Sequence, residues 1–254
     1  MDHTLKRIPK GKTDHVAQQL LDMIINSGIE PGNTLGTEAD LLSQFDVSRP
    51  TMRESLRILE SNGVLELRPG PGGGIIVKKP SIEVLERALS VYLRLHGVPF
   101  ITLVKTREVI EPALAAEAAQ NGTDEDFDEL QESIDRMKTI GRDQAAFIEE
   151  NKVFHSAIAR ASGNAVMEIF WETISSLAAG DRHGIKFTPG NMQHIIDAHQ
   201  AVLDACRKRD SGAAYEKMRD HVTELEVLVR KRYQGLAPPA AVASPARGRR
   251  QNGS

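Results

Sequence analysis

The sequence predicts a mainly α chain: an N-terminal winged helix-turn-helix followed by an antiparallel all-helical bundle of six or seven helices. Two observations carry this. Within the first 80 residues, two short helical stretches flank a tight turn and lead into a hairpin with a glycine-rich tip. From Ser81 onward every strong apolar pattern has helical spacing, broken by glycine, proline or asparagine. The expected boundaries are 1–79 for the first domain and 80–234 for the second. Residues 235–254, rich in Pro, Ala, Gly and Arg and without periodicity, are expected to be a disordered basic tail.

The first helix is expected from Val16 to Asn26. Val16, Leu20, Met23 and Ile24 recur on one face, and Gly28 stands where a C-terminal cap belongs. Pro31-Gly32 marks a turn. Thr37 is a fitting N-cap for a helix from Glu38 to Phe45 that buries Leu41, Leu42 and Phe45, and Glu38 and Asp40 suit its positive end. After a break at Asp46-Val47-Ser48, Ser48 can cap a third helix that tolerates Pro50 in its first turn and runs to about Asn62. Val64 to Leu67 and Ile75 to Val77 read as two strands around Arg68-Pro69-Gly70-Pro71-Gly72-Gly73-Gly74, a wing. A phosphate-cradling nucleotide loop would need Lys-Ser or Lys-Thr entering a helix after the glycines. A strand follows here, which excludes it.

The formal net charge of −3 divides into 0 over residues 1–80, −6 over 81–234 and +3 over 235–254. An even spread would argue against a polyanionic partner, but the charge is local. Met52, Leu56 and Leu59 turn the apolar face of the third helix inward. Arg49, Arg53 and Arg57, four residues apart, then form one outward row. Guanidiniums on the second helix of a helix-turn-helix suit the major groove, as bidentate donors to guanine or clamps on phosphate. The alternative is a solvated basic face. The wing glycines let the backbone approach a phosphate closely. Arg247, Arg249 and Arg250 of the tail receive no specific role.

The second block should hold seven helices, at about 81–96, 100–120, 123–140, 143–162, 164–179, 189–209 and 211–233, joined by short loops as in an antiparallel bundle. His199 stands among Ile195, Ile196, Val202 and Leu203, His221 between Met218 and Leu225, and His155 among Ile148, Ile158 and Ala159. Three histidines on apolar faces of three helices need hydrogen-bond partners or a metal. Asn151 lies one turn before His155 on the same face. Three neutral imidazoles favour a borderline divalent cation such as Zn²⁺ or Ni²⁺. His194, flanked by polar and small residues, reads as exposed.

The single Cys206 forbids an internal disulfide, which points to a reducing, cytoplasmic setting. No stretch approaches the ~20 apolar residues of a membrane span, and the polar N-terminus does not read as a secretory signal.

The run Leu41-Leu42-Ser43-Gln44-Phe45-Asp46-Val47-Ser48-Arg49-Pro50-Thr51-Met52-Arg53-Glu54-Ser55-Leu56-Arg57-Ile58-Leu59-Glu60, with Gly63-Val64-Leu65 and the wing, closely resembles the reader head of the GntR family of bacterial transcription regulators. That resemblance implies DNA contacts from Ser48, Arg49, Thr51 and Arg53, with Gly70 at the wing tip. The family often has an arginine after the Ser-Glu that opens the preceding helix, and Ala39 stands there instead. The second block resembles the FCD effector domain of the FadR subfamily. The matching stretches are Thr106-Arg107-Glu108-Val109-Ile110-Glu111-Pro112, Asn151-Lys152-Val153-Phe154-His155, Ser162-Gly163-Asn164, His199 with Asp210, and Met218-Arg219-Asp220-His221. In metal-binding members, positions matching Asn151, His155, His199 and His221 hold one divalent ion, the first usually as Asp. The resemblance also implies a small carboxylate effector beside the metal, with Arg107 in the position of the effector-binding arginine; the alternative for Arg107 is an ordinary i,i+4 pair with Glu111.

These implications describe a ligand-responsive homodimeric regulator, expected to be a repressor of a metabolic operon, on an inverted-repeat operator in double-stranded DNA. The rival is a metal-dependent helical enzyme, a hydrolase with an accessory DNA-binding head. It would need a general base beside an open metal position, and no glutamate neighbours a histidine at zincin-like spacing.

Overall fold

The computed structural model describes residues 11–70, 73–178 and 186–233. They form two compact units, one ending at Leu85 and one beginning at Glu86. The expected basic tail lies outside the described residues.

The first unit holds α1 (Lys12–Ser27), α2 (Glu38–Gln44) and α3 (Arg49–Ser61), with β1 (Thr34–Gly36), β2 (Leu65–Arg68) and β3 (Gly74–Val77). α1 starts one turn earlier than its apolar period suggests. The Ser55 hydroxyl on α3 donates to the carbonyl of Thr13 at 2.8 Å, so packing on α3 supports that extra turn. α1 ends at Gly28 in the left-handed conformation (φ 64°), as the sequence led us to expect. Thr37 caps α2 in a reciprocal box with Asp40, and Ser48 caps α3 with Pro50 in its first turn. Leu41 is fully buried, whereas Leu42 and Phe45 are only partly so and pack on the core margin.

β1 was not anticipated. It is three residues long and pairs antiparallel with β3, giving the order β1-β3-β2. In the β2–β3 hairpin Leu65 faces Val77 and Leu67 faces Ile75. Leu65, Ile75 and Val77 turn into a core with Leu20, Met52 and Leu56, each such burial contributing roughly 1.5–3 kcal/mol.

α4 (Ile82–Leu95) crosses the boundary and has no buried side chain. The second unit continues with α5 (Phe100–Asn121), α6 (Asp124–Ile140), α7 (Gln144–Ala161), α8 (Ala165–Leu177), α9 (Pro189–Arg207) and α10 (Ser211–Tyr233). α5 is central and packs on α7, α8, α9 and α10. Its Ala115, Ala118 and Ala119 are fully buried and allow close approach of those helices. Phe127, Leu130, Phe154, Trp171, Leu203 and Met218 fill the core around it. Cys206 is part of that core. Burial pushes its thiol up to about 12, so it is an inert packing group.

Candidate functional site

In the first unit, Arg49, Arg53 and Arg57 stand as one exposed row on α3, their side chains 64–72% accessible. The row is not free of counter-charge. Arg53 Nε donates to both carboxylate oxygens of Glu38, at 2.8 and 3.0 Å, and Arg49 approaches the same carboxylate at 3.9 Å. Arg57 stands 3.9 Å from Glu54. Ser48 Oγ accepts from the Thr51 amide at 3.4 Å and shares a 2.8 Å hydrogen bond with the Thr51 hydroxyl. Both hydroxyls thus already work at the helix start. A cleft of about 530 Å³ separates α3 from the hairpin, lined by Arg53, Arg57, Arg68, Gly70 and Gly73. The Gly70 carbonyl accepts from the Gly73 amide at 2.9 Å, which closes the turn, and Gly70 has φ 91°. A Cβ on Gly73 would fall 2.2 Å from the Arg68 carbonyl, so only glycine fits there. Pro71 and Gly72 lie outside the described residues.

In the second unit, α7, α9 and α10 bring His155, His199 and His221 together. All three are buried, and their ligand atoms lie within 4.8 Å of one another. His221 Nε2 is 3.2 Å from His199 Nε2 and 3.3 Å from His155 Nε2. Nitrogens at ~2.0–2.1 Å from a tetrahedral zinc would stand about 3.3–3.4 Å apart. The donor set and spacing therefore fit one small divalent ion. His199 stacks flat on Phe154, with ring centres 3.8 Å apart. Burial, reinforced by the neighbouring imidazoles, holds His199 far below its ordinary value, and burial likewise pushes His221 down to about 3. Both rings are thus neutral and able to ligate at neutral pH.

Glu111 of α5 closes the cluster from behind. Its Oε2 lies 2.5 Å from His155 Nδ1, and its Oε1 accepts from Arg107 Nε one turn back on the same helix. Burial alone would raise this carboxyl. Arg107 and His155 outweigh that and hold it well below the usual carboxylate range.

Two cavities flank the cluster. One of about 270 Å³ is bordered by His221, Asn151, His194, Ile195, Glu224 and Leu225. The other, about 100 Å³, is bordered by Arg107, Asn151, Lys152, His155, Trp171 and Ser175. Asn151 is half-buried and borders both. Arg107 reaches the smaller cavity but also makes the i,i+4 ion pair with Glu111. His194 is exposed, as expected, and pairs with Glu224. His183 and Arg182, to which the sequence gave no role, lie outside the described residues.

The sequence did not reveal Glu111 as a partner of His155, nor Glu38 as a partner of Arg49 and Arg53. Glu111 had one visible signal, its spacing of four from Arg107. Glu38 had none beyond its place at a helix start.

Comparison with known proteins follows this division. The family profile "Bacterial regulatory proteins, gntR family" matches residues 12–75, and that of the FCD domain matches residues 102–224. The chain is 25% identical over 209 residues to the HTH-type transcriptional regulator LutR of Bacillus subtilis, covering 80% of this chain and 94% of that one. It is 28% identical over 207 residues to the galactonate operon transcriptional repressor of Escherichia coli, covering 80% and 90%. The solved structure of Streptococcus agalactiae GntR matches with a TM-score of 0.68 at 25% identity, covering 85% of this chain and 99% of that one. Both domains and these relatives mark a transcription regulator rather than an enzyme, which removes the hydrolase reading. With a winged helix-turn-helix head and an FCD bundle, the chain belongs to the gntR family of bacterial regulatory proteins.

Proposed function

We propose that this chain is a cytoplasmic, homodimeric repressor of a metabolic operon, released from or held on DNA by a small carboxylate. Residues 1–79 read an inverted-repeat operator, one α3 per half-site in the major groove. Arg49, Arg53 and Arg57 supply contacts to guanine edges and phosphates, Ser48 and Thr51 supply hydroxyl donors, and the wing at Gly70 reaches the flanking backbone. Residues 80–234 sense the ligand. His155, His199 and His221 hold one Zn²⁺ or Ni²⁺, with Asn151 as an uncharged fourth ligand, and Arg107 receives the effector carboxylate. Such an ion would supply a positive centre beside two cavities, a fixed anchor for an anion. The exposed apolar side chains Val166, Ile169 and Phe170 on α8 support burial against a second copy. A relative named as an operon transcriptional repressor supports the sign of control.

The observation that carries the sensing half is the convergence of three buried imidazoles beside two cavities. The reading half is tested by selecting bound duplexes from a random pool with the full-length protein. Enrichment of an inverted repeat that Arg49→Ala binds ten-fold or more weakly is expected. A selected pool without two-fold symmetry, or one bound equally by Arg49→Ala, contradicts the assignment.

A further inference from the structure

We propose that Glu111 is a positioning residue of the histidine cluster, fixing the His155 ring so that Nε2 faces His221 and any ion held there. This rests on the metal reading above. The contact between Glu111 Oε2 and His155 Nδ1 is 2.5 Å, and the two side chains are only 2% and 1% exposed. Water is therefore no rival for either group. A carboxylate against Nδ1 favours the tautomer with its proton on that atom, which leaves Nε2, 3.3 Å from His221 Nε2, to face the cluster.

Arg107 completes the arrangement. Its Nε holds Oε1 while the imidazole holds Oε2, so the carboxylate is gripped from both sides. The neighbouring ring is fixed differently. His199 stacks flat on Phe154, and that contact orients its ring. Carboxylates behind a ligating imidazole select its tautomer and raise its basicity, and their loss typically costs 10–100-fold in metal affinity. A merely structural Arg107–Glu111 pair would predict neither a defined His155 tautomer nor an effect on the ion.

Two measurements separate these. In ¹⁵N-labelled, chelator-stripped full-length protein, long-range ¹⁵N–¹H correlations should show His155 protonated at Nδ1. Protonation at Nε2 alone overturns the proposal, and no variant is needed. Zn²⁺ alone is then titrated against a chromophoric chelator into the wild type, Glu111→Gln and Glu129→Gln. Glu129 pairs with Arg160 on the surface and serves as a charge control. Binding weakened 10–100-fold in Glu111→Gln and unchanged in Glu129→Gln is expected. Folded Glu111→Gln within two-fold of the wild type overturns the proposal. Failure of the wild type to take up Zn²⁺ would sink the metal reading, while the tautomer still decides what Glu111 does.

Discussion

Nε2 of His199 lies 3.2 Å from Nε2 of His221, which in turn lies 3.3 Å from Nε2 of His155. With the His155 proton on Nδ1, a single proton on His221 Nε2 cannot serve both neighbours well, whereas one cation accepts all three lone pairs. Zinc at 100 times its dissociation constant should therefore stabilise the chelator-stripped protein by about 2.7 kcal/mol. Thermal melts with and without zinc, with elemental analysis for one ion per chain, check this. Equal midpoints in the two melts speak against a site, as does an undiminished zinc shift in His221→Ala.

The same neutral imidazoles set a pH dependence for the ion-free protein. His199 and His221 are depressed in the folded chain, His221 to about 3, while the unfolded imidazoles titrate near their usual ~6.5. Between those values the unfolded state binds more protons, so stability is full above about pH 6.5 and falls as pH drops toward 3. Two such groups give a slope of up to ~2.7 kcal/mol per pH unit. Urea melts of stripped protein at pH 7.5 and 5.5 should show the loss, and His199→Gln should reduce it. Equal stability at the two values would mean that these rings protonate in place.

In the head, stability and recognition separate at adjacent residues. Ser48 caps α3, so Ser48→Ala should cost about 1 kcal/mol of stability. Arg49 is exposed and its ion pair among the described residues is with Glu38, at 3.9 Å, so Arg49→Ala should leave the melting curve intact and cost about 1–3 kcal/mol of specific DNA binding. Denaturant melts alongside anisotropy titrations distinguish the two. A destabilised Arg49→Ala would give that side chain a structural job instead.

Glu38 holds Arg53 and lies near Arg49, placing a negative charge inside the basic row. Glu38→Gln should strengthen non-specific binding and steepen the log–log salt dependence by about 0.9, the value of one further released counterion. It should also narrow the margin between selected and random duplexes, because Arg53 loses its anchor. A salt slope equal to the wild type would show that the pair opens on DNA without consequence.

The features legible in the sequence were local ones. The helix end at Gly28, those near 140 and 162, the caps Thr37 and Ser48, and the inward histidines all follow from neighbours within one turn. What escaped depends on distant pairing. β1 has no alternating pattern and exists because Thr34 lies opposite Ile76, far along the chain. Glu111 was visible to Arg107 by spacing, yet its contact with His155 needs α5 and α7 packed side by side. Glu38 meets Arg53 only because the turn folds α2 back on α3. Convergence of the three histidines was legible as a need for partners, and their 3.2–3.3 Å spacing was not.

The central claim, that a ligand at the histidine cluster governs the grip on DNA, is tested most directly by one titration. A labelled duplex selected by the protein is titrated with zinc-loaded wild type and His199→Ala, with and without each of a panel of small carboxylates. A coupling of about 1–3 kcal/mol predicts that at least one carboxylate changes wild-type affinity by roughly 5–150-fold and leaves His199→Ala, which still binds DNA, unmoved. An equal response in His199→Ala, or a wild type that answers to none of them, would contradict the account.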